Sequence, residues 1–170
     1  VMPGRTPEPL FAGLAELVRR RPDLETDFQV LFVGATSAAA ERIAKRHGVR
    51  HIVNFTGYVP HRECLAALCG ADLLYLNTIR ECIPGKFPEY LRARRPILGV
   101  MEPDCELAVL IRQLGVGTVV APDDPAVVAS TIERYLDGKG NTGPATGIER
   151  FSRRTLTGRL AELLDVVSAK

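Results

Sequence analysis

The sequence predicts a doubly wound α/β domain: a mostly parallel, Rossmann-like sheet with helices on both faces. Three observations carry this. Short apolar runs alternate strictly with segments of helical periodicity along most of the chain. The runs are near-continuously apolar rather than alternating, as strands buried on both faces are. Finally, 170 residues with 46% hydrophobic and 25% charged residues suffice for one domain with a substantial core. Strand, helix and parallel strand connect by right-handed crossovers, which places helices on both faces.

The elements follow in order. Leu10, Phe11, Leu14, Leu17 and Val18 recur at helical spacing, and Arg19 to Arg21 followed by Pro22 close that helix with a basic turn and a breaker. The run from Phe28 to Gly34 reads as a first strand and Ser37 to His47 as the helix after it. A second strand, Ile52 to Phe55, ends at Gly57, and His61 to Cys69 is helical. Asp72 to Asn77 is the third strand, followed after Pro84-Gly85 by a helix from Lys86 to Arg94. Strands at Pro96 to Met101 and Thr118 to Ala121 alternate with helices at Asp104 to Leu114 and Pro125 to Leu136. Gly138 to Gly147 is a glycine-rich linker. A last amphipathic helix, Phe151 to Val167, carries Leu156, Leu160, Leu163 and Leu164 on one side. The predicted division is therefore a Rossmann-like α/β domain over 1–148 and a carboxyl-terminal helix over 149–170, packed on that domain or reaching toward another.

Several function classes drop out. A net charge of +2 offers nucleic acid or anionic lipid no dominant attraction. No apolar run approaches the length of a membrane span, and no basic-then-apolar leader opens the chain. Cys64, Cys69, Cys82 and Cys105 form no C-x-x-C pair and lie in apolar or mixed stretches, which predicts buried free thiols and a cytoplasmic, reducing setting. His47 and His51 straddle a Gly48-Val49-Arg50 break, so helical geometry does not join them at a metal, and no metal site is predicted. His61 after Pro60 reads as a helix start. Gly138 to Gly143 spells G-x-G-x-x-G, but it follows a helix and runs into Pro144, so it lacks the strand before and helix after that give such glycines their mechanism. The chain opens on Val1 and runs almost at once into a helix, which predicts a piece of something longer.

In sheets of this kind ligands bind beyond the carboxyl ends of the strands, so the loops after Gly34, Phe55, Asn77 and Met101 are the places to search. The stretch from Asn77 to Leu98 is the informative one. It holds Glu81 and Glu89 eight residues apart, a spacing that twelve glutamates produce about once by chance and that Glu8 and Glu16 repeat. Position distinguishes the second pair: Glu81 lies in a loop beyond a strand, Pro84-Gly85 turns the chain, and Glu89 falls in the first turn of the next helix. Backbone N–H groups at a helix start carry about half a positive charge and attract phosphate, and Lys86 adds a full one. A carboxylate one turn in accepts two ribose hydroxyls through charge-assisted bonds. The alternative at this point is that Glu89 only complements the helix end and Lys86 is solvated.

Taken together, Gly4-Arg5 before the first helix, Phe32-Val33-Gly34, Val53 to Gly57 with Pro60, Ala71-Asp72, Ile83 to Leu91, Arg95-Pro96-Ile97-Leu98, the Gly115-Val116-Gly117 turn and Phe151-Ser152 resemble the carboxyl-terminal domain of retaining GT-B glycosyltransferases of the group 1 family. The resemblance spans almost the whole chain. It implies that Glu89 binds the ribose and Glu81 faces the donor sugar, as the two ends of the family's E-x7-E motif. It also implies that Arg5 and Lys86 hold the diphosphate, that Ile83, Pro84 and Gly85 meet the sugar and phosphates, and that the loops after Gly34 and Gly57 border the base. Two departures stand out: Ile83-Pro84 replaces the commoner Phe-Gly, and Pro7 and Pro9 stand near where a second basic residue is usual.

The implied function is the donor-binding half of an enzyme that transfers a sugar from a nucleotide diphosphate to an acceptor with retention of configuration. No cofactor or essential metal is implied. A first strand and a separate amino-terminal acceptor-binding domain are implied to precede Val1, with peripheral membrane association, if any, through that domain. The domain alone is expected to bind nucleotide without transferring sugar. The runner-up is a non-catalytic nucleotide-binding or interaction module on the same fold.

Overall fold

The computed structural model describes residues 6–35, 37–78, 82–140 and 147–168. Seven helices and five strands occur there: α1 (Glu8–Arg20), β1 (Val30–Val33), α2 (Ala38–Arg46), β2 (Val53–Gly57), α3 (His61–Gly70), β3 (Leu74–Leu76), α4 (Phe87–Ala93), β4 (Ile97–Val100), α5 (Glu106–Leu114), β5 (Gly117–Val120), α6 (Pro125–Leu136) and α7 (Arg153–Ser168). Short 3-10 turns at Pro22–Glu25 and Ile148–Phe151 complete the order. The predicted alternation is present throughout. The helix expected from Phe151 begins two residues later, after the second of these turns.

All strand pairing is parallel, but the sheet is in two pieces. β1 pairs with β2, and β3, β4 and β5 form a second sheet in that order. Among the described residues, β1 and β3 each keep one edge without a strand partner. One apolar core nevertheless joins the pieces: Leu10, Phe11 and Leu14 of α1 pack with Val53 of β2, Leu98 and Val100 of β4, and Val128 and Ile132 of α6. The second core lies on the opposite face of the three-stranded sheet, where Phe87 and Leu91 of α4 and Leu107 and Ile111 of α5 cover Leu74, Leu76 and Ile97. β4 is buried along its whole length and sends alternate side chains to the two cores. β1 is covered on one face only. Phe32 meets Phe11 of α1 at 5.6 Å and Phe55 of β2 at 5.3 Å, while Leu31, on the other face, is 51% exposed.

The two sheets point the same way. Arg20 and Arg21 at the carboxyl end of α1 reach Glu133 and Asp137 at the carboxyl end of α6, at 3.9 and 3.7 Å, so the helices run side by side and parallel. The chain enters β1 from the carboxyl end of α1 and enters α6 from the carboxyl end of β5. All five strands therefore direct their carboxyl ends to one side of the molecule.

Local chemistry explains the helix ends. The Ser37 hydroxyl accepts the Ala40 N–H, and the Asp124 carboxylate accepts the Val127 N–H, so α2 and α6 have side-chain caps. α5 ends on Gly115 in the left-handed conformation. α4 ends on Arg94 in the same conformation, with φ of 53°. Arg95 precedes Pro96 and is thereby kept out of helical geometry, so the chain must turn within one residue. Arg94 bears the steric cost of that turn. Arg94→Gly is expected to raise stability by about 0.5–1 kcal/mol, read as a higher urea midpoint at unchanged slope.

One expectation is corrected. Only Cys105 is buried: Cys64 is half-buried and Cys69 exposed, because α3 has no buried residue, and Cys82 in the loop after β3 is half-buried. α7 likewise has no buried residue, and Leu156, Leu160, Leu163 and Leu164 face solvent. No described helix is long and apolar enough to cross a membrane.

Candidate functional site

The carboxyl ends of the strands carry those predicted residues that the structure describes, each for a local reason. At the ends of β1 and β2, Gly34 and Gly57 form a bridge in which the Gly34 N–H donates to the Gly57 carbonyl at 2.9 Å. Their φ values of 109° and 69° are ones that side chains resist, and the register slips between Phe32 and Val33 just before them. Backbone, not side chains, therefore makes up this part of the rim.

β3 ends at Leu76, and its two following residues tie down chain on either side. The Asn77 side-chain N–H donates to the Thr6 carbonyl at 3.0 Å, and the Thr78 hydroxyl donates to the Cys82 carbonyl. Thr6 in turn accepts the Glu8 N–H on its hydroxyl at 3.2 Å, so the start of α1 is held at the carboxyl end of β3. Arg5 and Glu81 lie outside the described residues. From Cys82 the chain passes Ile83, exposed, and Pro84, buried, then Gly85 and Lys86, both exposed, into α4.

At the α4 start the sequence reading needs adjustment. The helix is seven residues long, from Phe87 to Ala93. The Phe87 N–H is already donated to the Pro84 carbonyl at 2.9 Å, and Pro88 has no N–H. Fewer backbone donors are on offer than a longer helix would present, so positive charge here falls to Lys86. Its ammonium lies 5.4 Å from the centre of the Tyr90 ring, a cation–π distance. Burial pushes the Tyr90 phenol up to about 12, with the Cys64 thiol and the Glu89 carboxylate adding to it. Tyr90 thus stays a neutral platform under Lys86.

Glu89 is exposed and one turn into α4. It shares with Gly85, Arg92, Arg94, Ser152 and Arg153 the wall of a groove of about 1020 Å³ between α4 and the start of α7. Phe87 anchors this end of α4: it is fully buried, and its ring meets Phe151 edge-on at 6.1 Å. The sequence thus brings Gly85, Lys86 and Glu89 together at one accessible helix start, while Gly34 and Gly57 stand at the ends of β1 and β2 in the other sheet. What sequence reasoning missed is the bracing by Asn77, Thr78 and Thr6. Polar residues directly after an apolar strand were its only trace.

On the β1 side of the three-stranded sheet, the Tyr75 hydroxyl is buried with no hydrogen-bond partner among the described residues. Burial raises its phenol above the ordinary value. Among the described residues there is no group of three or more His, Cys, Asp or Glu side chains able to hold a metal ion.

A parallel α/β core with an accessible, charged helix start beyond its third strand defines a Rossmann-like domain of the kind found in GT-B glycosyltransferases. The sequence itself matches the family described as glycosyl transferases group 1 over residues 2–138, and the chain belongs to that family. Among solved structures it is similar to WaaG, a glycosyltransferase involved in lipopolysaccharide biosynthesis, with a TM-score of 0.62 and 24% identity over 76% of this chain and 34% of that one. It is also similar to a UDP-forming α,α-trehalose-phosphate synthase from Burkholderia xenovorans, with a TM-score of 0.56 and 15% identity over 76% of this chain and 33% of that one. The chain therefore spans about a third of the length of these enzymes. No curated protein matches the sequence.

Proposed function

We propose that this domain is the donor-binding, carboxyl-terminal half of a retaining glycosyltransferase, and that it holds the nucleoside diphosphate of a nucleotide-sugar. Glu89 accepts the ribose hydroxyls, Lys86 and Arg5 face the diphosphate, Glu81 and the backbone of Ile83 to Gly85 meet the donor sugar, and the loops after Gly34 and Gly57 border the base. The observation that carries this reading is the pair Lys86 and Glu89. Both are exposed at the start of α4, beyond the carboxyl end of β3, in a chain of the group 1 family.

Chemically, the arrangement binds rather than reacts. A carboxylate that accepts two hydroxyls holds a ribose in one orientation, and an ammonium beside it neutralises a diphosphate without a resident metal. Transfer further requires an acceptor and a second wall to the cleft, which an amino-terminal domain supplies. The exposed leucines of α7 then become a surface for that domain. The isolated domain binds nucleotide and leaves the glycosidic bond to the donor intact. Free thiols and a nucleotide-sugar substrate fit a cytoplasmic setting.

Calorimetric titration with UDP, GDP, ADP and TDP tests the reading. One nucleotide is expected to bind, and Glu89→Ala to weaken it by tenfold or more, since hydrogen bonds to a charged group contribute about 1.5–3 kcal/mol each. The melting temperature should stay within a few degrees, because Glu89 is exposed. A Glu89→Ala protein that binds as tightly as the wild type would sink the ribose assignment. Addition of EDTA is expected to change nothing.

A further inference from the structure

We propose that the groove between α4 and the start of α7 is a second binding site, which takes a phosphate ester whose other end is apolar. It goes beyond the reading of the donor site and does not depend on it.

The observation that carries it is unpaired positive charge around an apolar floor. Arg92 and Arg94 line the groove from the end of α4, and Arg153 and Arg154 from the start of α7. All four are exposed, and none of their guanidinium groups has an ion-pair or hydrogen-bond partner among the described residues. By contrast, Arg19 and Arg20 reach Glu16 at 2.7 Å, and Arg21 reaches Asp23 at the same distance. The groove has two carboxylates of its own, Glu89 and Glu149, and neither closes on an arginine. It is left with as much net positive charge as the whole chain, +2. Like charges gathered around one groove repel, and an anion with several acceptor oxygens relieves that repulsion. Between the arginines, Pro88 and Leu91 of α4 stand opposite Ile148 and Phe151.

Both walls are fixed before any ligand arrives. Phe151 meets Phe87 edge-on at 6.1 Å and carries the Arg150 guanidinium 5.0 Å from its ring centre. The Ser152 hydroxyl accepts the Thr155 N–H at 3.1 Å, and the Thr155 hydroxyl donates to the Glu149 carbonyl at 3.0 Å, which braces the turn that presents Arg153 and Arg154. Guanidinium forks match phosphate oxygens in bidentate geometry, so one phosphate ester engages arginines from both walls while its organic part lies on the floor. The volume of about 1020 Å³ has room for both, since ligand clefts run to about 1,000 Å³. Arg92 follows Glu89 by just under one helical turn, about 5 Å along the axis, so the two sites share a wall without sharing a cation.

Calorimetric titration with hexyl phosphate, inorganic phosphate and hexanol tests the site in wild type, R92A, R153A, the double variant and, as a control, R62A on the exposed side of α3. Hexyl phosphate is expected to bind, inorganic phosphate about tenfold more weakly because it leaves the floor empty, and hexanol not at all. Each single variant should weaken hexyl phosphate by about five- to tenfold, and the double variant further. R62A should match wild type, every melting temperature should stay within a few degrees, and the double variant should keep its nucleotide affinity. Vesicles of phosphatidylcholine with phosphatidic acid identify the source. Cosedimentation that the double variant loses assigns the phosphate to a lipid headgroup, and hexyl phosphate binding without cosedimentation assigns it to a free ester. A wild type that does not bind hexyl phosphate overturns the proposal, as does equal weakening by R62A, which reduces the effect to general surface charge. Equal affinity for hexyl and inorganic phosphate removes the apolar floor and the proposal with it. A double variant that loses nucleotide in step with hexyl phosphate shows one site where two are proposed, and overturns it as well. A wild type that binds hexyl phosphate but none of UDP, GDP, ADP and TDP removes the donor-site reading and leaves this inference standing.

Discussion

Phe87→Ala is expected to lower stability by about 3–5 kcal/mol, a large share of the roughly 5–15 kcal/mol by which a domain is folded. Phe87 is 0% exposed and packs with Leu74, Leu76 and Leu91 in the core between α4 and the three-stranded sheet. Truncation leaves a cavity that its neighbours cannot close, because Leu74 and Leu76 are held by the β3–β4 ladder and Ile97 by its pairing with Gly117. The loss also reaches the site. Phe87 begins the helix that carries Glu89, and its edge-on contact with Phe151 ties that helix to the chain entering α7. Phe87→Leu keeps most of the volume and should cost less than half as much. Urea unfolding followed by circular dichroism measures both, and an alanine variant within about 1 kcal/mol of wild type would contradict the packing described.

The second large effect is Gly117→Ala. Gly117 is paired with Ile97 across β4 and β5, and an added methyl carbon would lie 1.9 Å from the Ile97 carbonyl oxygen and 2.7 Å from its carbon. Those atoms are backbone of the central strand, so no rotamer change relieves the overlap. The strands must part, at a cost of about 3 kcal/mol or more. Gly85→Ala is the control: nothing lies within 4 Å of the added carbon, and a change within about 0.5 kcal/mol is expected. Equal stability of the two variants would show that β5 does not approach β4 as closely as described.

How much of this was legible in the sequence depends on how local each feature is. The alternation of strands and helices was readable because each strand is an apolar run bounded by Gly, Pro or polar residues, and each helix repeats its apolar face. The end of α4 was readable from Arg95-Pro96. The division of the sheet was not, because periodicity reports which residues are buried and carries no information on which strand pairs with which. Burial of cysteines failed for a related reason: Cys69 sits in an apolar-looking stretch, but α3 packs too lightly to bury it. The closeness of Lys86 and Glu89 was legible because one caps and the other opens the same short helix, where spacing is geometry. The hydrogen bond from Asn77 to Thr6 was not, since it depends on how α1 is laid across the sheet.

The interrupted sheet has a consequence for how the domain comes apart. Within a ladder, each hydrogen bond holds its neighbours in register, so a sheet opens as a unit. Between β1 and β3 no such ladder exists among the described residues, and the two pieces are coupled only through side chains, chiefly those of α1 against Phe32 on one side and α6 on the other. The domain is therefore expected to open as two units that share one helix as their clasp. A fluctuation that frees α1 is expected to release the β1–β2 unit with its glycine rim before the three-stranded unit, whose second core does not include α1. In the proposed reading, the ribose and phosphate contacts would then fall on the unit that stays folded, and the rim proposed for the base on the one that opens.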